Sequence, residues 1–194
     1  MRRNLFVTAL AAIALLAPKA ASAQLTLLSP NCANGNALTF MNATSCTGGY
    51  DKNNLQASVA PLVIAKLNAD FGSVWSLLGS SDAAGTFGPF TTNPSGITGT
   101  LTFDTPLAGP FVLALKAGDQ FSLYYFLNNG APLASVNYTT AGTNLNRKGV
   151  PNGLSHASLY SATNFAPVPE PSTYALLASG LIGLGVVARR RRQA

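Results

Sequence analysis

The sequence predicts a mainly β domain, a β-sandwich or jelly roll with one short helix, between an N-terminal signal helix and a C-terminal transmembrane helix. In residues 24–167, short apolar runs alternate with clusters of Gly, Asn, Ser, Thr and Pro, the pattern of an all-β sandwich. Two longer apolar runs, residues 5–17 and 173–188, lie beside basic residues near the ends of the chain. We therefore divide the chain into residues 1–23, 24–167 and 168–194.

Three short segments of the middle part each predict a single strand. Residues 38–41 and 157–160 are short and largely apolar. In residues 97–103 the residue types alternate with a period of two, which is the repeat of a strand with two different faces. One face holds Ile97, Gly99, Leu101 and Phe103, and the other holds Thr98, Thr100 and Thr102.

A β-hairpin is predicted for residues 111–116 and 120–127. Gly118 can adopt the positive φ of a tight turn, and Asp119 can hydrogen-bond back to that turn. A period of two on both arms places large residues on one face: Phe111, Leu113, Leu115, Phe121, Leu123 and Tyr125.

Residues 54–71 allow two interpretations. Apolar residues recur there at helical spacing, but Pro61 lies inside the run, and proline breaks a helix interior. A short helix over residues 61–69, with Pro61 in its first turn, agrees with both observations. Two strands are the alternative.

The basic residues concentrate at the two ends of the chain. The protein has 12 Lys and Arg, 6 Asp and Glu, and a formal net charge of +6. Seven of the basic residues lie in residues 1–23 and 168–194, whereas the middle part carries five charges of each sign and is neutral. A basic balance confined to the ends indicates membrane topology, and we expect no nucleic-acid binding.

The first 23 residues have the three parts of a secretory signal peptide. Two arginines precede the apolar residues 5–17, and the small residues Ala21 and Ala23 follow them. We expect signal peptidase to cleave before Gln24. An uncleaved anchor is the alternative, but the apolar run is shorter than the roughly 20 residues that span a bilayer.

Cys32 and Cys46 are the two cysteines of the chain. An even number of cysteines in an exported chain usually forms disulfides, so we expect this pair to be bonded. The closed loop of ~15 residues would add about 3 kcal/mol of stability in the chain-entropy relation. A metal site is the weaker interpretation, because two sulfurs and one distant histidine lack zinc-ligand spacing, and we expect no metal or cofactor.

The chain ends in a short motif, an apolar run and a basic cluster. As a helix, residues 173–188 span about 24 Å, less than the ~30 Å hydrocarbon core unless the bilayer thins or flanking side chains snorkel. An arginine cluster resists translocation and marks the cytoplasmic side. The motif is Val168, Pro169, Glu170 and Pro171, and the stop-transfer cluster is Arg189, Arg190, Arg191 and Arg192.

Together these features resemble the C-terminal sorting domain of PEP-CTERM proteins, which have a Pro-Glu-Pro signature, a short membrane span and terminal arginines. The resemblance implies recognition of the motif by an exosortase, an integral-membrane processing enzyme, and removal of the tail near the motif. It also implies a Gram-negative bacterium, with the protein transiently anchored in the membrane and then at the cell surface or outside the cell. A simple tail anchor would explain the span and the arginines, but not the motif.

The middle part also resembles a β-rich ectodomain type that occurs in front of this same tail. The matching pieces lie within residues 71–82, 109–118 and 154–160. The resemblance implies a sandwich and a surface location, and it implies no catalytic chemistry.

The middle part offers few groups for catalysis or metal binding. His156 is the only histidine in the sequence, and in a strand the adjacent Ser155 points to the opposite face, so a Ser-His-Asp hydrolase site has little support. Asp51, Asp82 and Asp119 lie in or beside turns. Their oxygens could bind calcium, although no EF-hand spacing is present.

The aromatic residues between positions 124 and 138 suggest carbohydrate binding as an alternative. Tyr124 and Tyr138 would stack on sugar rings if they were exposed, with Asn137 supplying hydrogen bonds, whereas core packing is the competing interpretation. We expect a non-enzymatic structural or adhesive protein associated with exopolysaccharide. A carbohydrate-binding module and, with less support, a secreted hydrolase are the alternatives.

Overall fold

The computed structural model describes residues 24–28, 32–72, 74–83, 85–163 and 179. The predicted signal helix, the sorting motif and the arginine cluster lie outside the described residues, as does the predicted transmembrane helix apart from residue 179. Within the described residues, no helix combines the length and the hydropathy that a membrane crossing needs.

Seven strands and two α-helices form the described part of the chain. A 3-10 turn, Asn34–Asn36, leads into α1. In chain order the elements are α1 (Ala37–Met41), β1 (Ser45–Asp51), α2 (Ala60–Phe71), β2 (Val74–Ser80), β3 (Thr98–Leu107), β4 (Phe111–Ala117), β5 (Gln120–Phe126), β6 (Leu133–Thr139) and β7 (Leu154–Thr163). The prediction of a mainly β domain is confirmed.

The strands form two antiparallel sheets of unequal size. The larger sheet has the order β1-β5-β4-β7-β2, and β3 pairs with β6 in a two-stranded ribbon. One hydrophobic cluster joins the ribbon to one face of the large sheet, where the rings of Phe103 and Phe111 meet edge to face at 5.8 Å. A second cluster joins the opposite face to α2. The large sheet is therefore the middle layer, between the ribbon and the helix.

Helix α2 confirms the predicted short helix and extends it at both ends. Pro61 lies in the first turn, where its missing N–H has no intrahelical acceptor to lose. Val63 and Leu67, four residues apart on one side of the helix, are fully buried against the sheet. Gly72 ends the helix at φ 61°, a left-handed conformation that glycine adopts without steric cost.

The hairpin of β4 and β5 is confirmed, but its predicted face is wrong. Phe111, Leu113 and Leu115 face the ribbon, whereas Phe121, Leu123 and Tyr125 belong to the cluster under α2. Because the hairpin lies in the centre of the sheet, both of its faces are covered. Large side chains therefore occupy successive positions, and a period of two cannot identify a single inward face.

The strand predicted at residues 38–41 is wrong, because this segment is helix α1. Ala37 and Met41, four residues apart, are both buried. Asn36 and Asn42 bracket the helix with left-handed φ values of 56° and 54°. Asparagine tolerates this conformation better than most residues, so the two positions turn the chain sharply and close a single short helix.

The predicted disulfide between Cys32 and Cys46 is confirmed, with a Cα–Cα distance of 5.9 Å. The bond ties the segment before α1 to β1, so the loop that carries α1 is fixed at both ends. The side chain of Cys32 is buried in the cluster between ribbon and sheet. The bond therefore holds one wall of that core in place.

Candidate functional site

Tyr124 and Tyr138 are core residues, which makes their predicted role on an exposed ligand face wrong. Their exposed fractions are 0% and 1%. The Tyr124 hydroxyl donates to the carbonyl of Cys32 at 3.2 Å, and the Tyr138 hydroxyl donates to the carbonyl of Ser95. Burial raises the pKa of Tyr124 to about 12. Neither ring is available to a sugar, because both lie between the ribbon and the large sheet.

Asn137 is exposed, unlike the two tyrosines with which it was grouped. It lies on the outer side of the ribbon, opposite Thr100 in the β3–β6 register. The Thr100 hydroxyl donates to Asn137 Oδ1 at 3.0 Å. The amide is therefore held in one orientation, and its Nδ2 donor remains available to a ligand.

A buried polar cluster surrounds His156, which is 2% exposed. His156 Nε2 lies 3.0 Å from Asn54 Oδ1. Since that oxygen can only accept, we assign the ring proton to Nε2. The other ring nitrogen, Nδ1, lies 3.8 Å from a carboxylate oxygen of Asp82, whose side chain is largely exposed.

Asn54 is the centre of this cluster and is completely buried. Besides accepting from His156, its Nδ2 donates to Ser158 Oγ at 2.9 Å and to the hydroxyl of Tyr160 at 3.2 Å. The Ser158 hydroxyl in turn donates to Ser80 Oγ at 3.2 Å. These bonds join the loop after β1 to strands β7 and β2. We call Asn54, Ser80, His156, Ser158 and Tyr160 the polar cluster.

The polar cluster has the hydrogen bonds of a structural network. Ser155 is exposed while His156 is buried, so the two side chains point to opposite faces as predicted. Nε2 of His156 is bonded to Asn54, and Nδ1 lies nearest to the carboxylate of Asp82 among its described partners. None of the described hydrogen bonds of His156 therefore involves a serine hydroxyl. A nucleophilic serine needs a base within about 3.2 Å, and this arrangement does not provide that pair.

The pKa of His156 is lowered, chiefly because burial disfavours the charged ring. The carboxylate of Asp82 acts in the opposite direction, and the ammonium group of Lys116, opposite His156 in the β4–β7 register, lowers the pKa further. The unfolded chain therefore binds this proton more readily than the folded protein does. Stability contributed by neutral His156 is fully present above the unfolded pKa of about 6.5 and is lost as the pH falls below it.

We expect the wild-type protein to lose stability between about pH 7 and pH 5 more steeply than a His156→Gln variant. Glutamine retains an N–H donor for Asn54 but does not titrate, so its unfolding free energy lacks this proton linkage. Urea unfolding of both proteins at several pH values measures the difference. If the unfolding free energies of the two proteins changed equally with pH, the assignment of a neutral buried imidazole would be contradicted.

The acidic residues considered for calcium lie on separate elements. Asp51 ends β1, Asp82 follows β2, and Asp119 lies in the β4–β5 turn, where its carboxylate accepts from Asn144 Nδ2 at 2.8 Å. Among the described residues, no three His, Cys, Asp or Glu side chains are grouped closely enough to hold a metal ion.

The C-terminal region is the part of the chain that resembles a known family. Residues 167–192 match the family model of the PEP-CTERM protein-sorting motif. The match covers the Pro-Glu-Pro residues, the apolar run and the four arginines, and it implies export, processing by an exosortase and a location at the surface of a bacterium or outside it. No curated protein and no solved structure matches the chain.

Proposed function

Because residues 167–192 match the PEP-CTERM sorting motif, we propose that the protein is a non-enzymatic structural or adhesive component of the surface or extracellular matrix of a Gram-negative bacterium. Residues 1–23 direct export and are removed by signal peptidase. Residues 173–188 hold the precursor in the inner membrane until exosortase removes the tail. The neutral β domain then remains within the exopolysaccharide.

The fold at the start of the domain supports cleavage before Gln24. Residues 26–28 run beside the edge strand β1, where the Leu28 amide donates to the carbonyl of Gly49 at 2.7 Å and the Asp51 amide donates to that of Thr26 at 2.9 Å. The described backbone pairing of this segment thus involves residues from Thr26 onward, all of which remain after cleavage before Gln24. A signal peptide that ends at Ala23 leaves this pairing intact.

The end of the domain supports removal of the tail. Strand β7 ends at Thr163, and residues 164–166 separate it from the region that matches the sorting motif. Cleavage at or near Pro171 would therefore leave every described strand and the described residues of both hydrophobic clusters in the released domain. The Cys32–Cys46 disulfide agrees with an oxidising compartment outside the cytoplasm.

The test replaces Pro169, Glu170 and Pro171 with alanine in the full chain. We expect this variant to accumulate in the membrane fraction with its tail, because the extended Pro-Glu-Pro segment that exosortase recognises is lost. The matched control replaces Asn164 and Phe165 with alanine, just before the motif, and should be processed like the wild type. Release of the motif variant at the wild-type rate would overturn the proposal.

Carbohydrate binding is the second candidate function. Tyr124 and Tyr138 are buried, so carbohydrate binding needs another surface. One observation favours it: an uncharged groove beside Asn137 carries an exposed aromatic ring.

A further inference from the structure

The described part of the chain contains a small uncharged groove between the end of α1 and the ribbon strand β6. Its volume is about 190 Å³. Buried Phe126, which stacks on Phe111 with ring centroids 4.6 Å apart, contributes to the lining, and Phe40, Asn42, Ser135 and Asn137 supply the exposed or polar groups. None of the lining residues is charged, so the groove offers nothing to neutralise an ionic ligand.

Phe40 lies at this groove with 48% of its surface exposed. Its helix is only five residues long, and Ala37 and Met41 make the buried contacts of that helix. The Phe40 ring therefore contributes comparatively little to the core. An exposed aromatic face is suited to stacking against the apolar C–H face of a sugar ring.

The polar groups beside the ring are amides and hydroxyls. Asn42 ends α1, and Asn137 is oriented by its bond from Thr100. An amide offers both a donor and an acceptor, which matches the paired donor and acceptor capacity of sugar hydroxyls. The aromatic face of Phe40 and the neutral amides of Asn42 and Asn137 together favour a ligand that is uncharged and rich in hydroxyls.

The outer face of the ribbon extends this surface beyond the groove. Thr98, Thr100 and Thr102 are exposed on β3, and Ser135 pairs with Thr102 in the neighbouring strand. From Thr98 to Thr102 the strand covers about 14 Å. These threonines are not part of the groove lining, so the row of hydroxyls offers contacts beyond the groove, which favours a polymer over a single sugar.

We propose that the groove at Phe40 binds a neutral segment of polysaccharide, with the Phe40 ring stacking on a sugar and Asn42 and Asn137 bonding its hydroxyls. The threonine row of β3 holds the neighbouring units of the same chain. This inference makes the second candidate function, carbohydrate binding, more specific. It rests on the proposed location of the domain at the cell surface, where the polysaccharide would be available.

The test titrates the mature protein with the neutral and the acidic polysaccharide fractions of the producing cells, and with neutral dextran, by calorimetry. We expect saturable binding to a neutral polymer, and a loss of roughly three- to tenfold in affinity in Phe40→Ala, the range of one aromatic contact. Asn137→Ala should also weaken binding, because it removes an amide that bonds the sugar hydroxyls, and the hydrogen bond from Thr100 that it also loses is exposed.

The matched control is Phe87→Ala, which removes another exposed phenylalanine, 42% exposed and not part of the groove. This variant should bind like the wild type. Absence of saturable binding to the neutral polymers, binding to the acidic fraction alone, or equal losses in the Phe40 and Phe87 variants would overturn the inference. Fractionation of cells tests sorting separately, so a failure of one proposal is distinguished from a failure of the other.

Discussion

Gly142→Ala is expected to destabilise the domain by about 3 kcal/mol or more, the upper range for overpacking a closely packed site. A Cβ at this position would lie 2.1 Å from the carbonyl oxygen of Cys32 and 2.7 Å from the hydroxyl of Tyr124. Neither neighbour can move freely. Cys32 is tethered by its disulfide, and Tyr124 lies in a central pair of strands.

Gly142 also contributes through its backbone, because its carbonyl accepts the hydroxyl of Ser122 at 3.0 Å. Displacing the loop to accommodate a methyl group would break this buried bond. Gly130→Ala is the control, since a Cβ there would have no neighbour within 4 Å. Urea unfolding should give a control within about 0.5 kcal/mol of wild type. Similar midpoints for the two variants would contradict the packing described around Cys32.

Asn54→Ala is the second substitution with a large expected effect, a loss of about 3 kcal/mol or more in unfolding free energy. The change removes a fully buried amide and leaves His156, Ser158 and Tyr160 each without one partner. A buried polar group that loses its hydrogen bond costs about 1–3 kcal/mol. The losses are not fully additive, because the remaining hydroxyls can rebond with each other.

Asn129→Ala is the control for Asn54, because it removes an exposed amide from a loop. We expect no more than about 0.5 kcal/mol from it. Chemical unfolding at pH 7.5, where the histidine is neutral in both states, isolates the hydrogen-bond effect from proton linkage. An Asn54→Ala protein as stable as the control would show that the polar cluster contributes little to the fold.

Several elements of the fold could be predicted because their signals are local. Pro61 at the start of an apolar helical pattern identified α2, and Gly118 between two apolar arms identified the hairpin. The disulfide followed from an even number of cysteines in a chain with an export signal. In each case a few neighbouring residues, or one counting rule, were enough.

Other features depend on contacts between distant residues. The role of Asn54 comes from partners 102 to 106 positions away, so nothing near it in the sequence marks it as a buried amide. The burial of Tyr124 follows from the ribbon that covers its sheet face, and periodicity within one strand cannot reveal that layer. The groove at Phe40 also depends on distant contacts, because α1, β5 and β6 all contribute to it, whereas the sequence predicts a strand at residues 38–41.

The polar cluster and the groove lie on different parts of the domain and differ in accessibility. The cluster is buried and joins β2, β7 and the loop after β1, so we assign it to stability. The groove is open and formed by α1 and the ribbon, so we assign it to binding. The described residues that form the cluster and the groove all precede the C-terminal tail, which agrees with a domain that keeps its fold and its surface after processing.

We propose that the domain is exported and then separated from its sorting tail. Intact-mass measurement of the mature protein, from cells with and without active exosortase, tests it directly. In cells with active exosortase, we expect the mass of a chain that begins at Gln24 and lacks the residues beyond Pro171. That mass should be smaller by two hydrogens because of the Cys32–Cys46 bond. Without exosortase, the tail should remain. A mature protein that retains residues 172–194 in both cells would contradict the claim and indicate a permanent anchor.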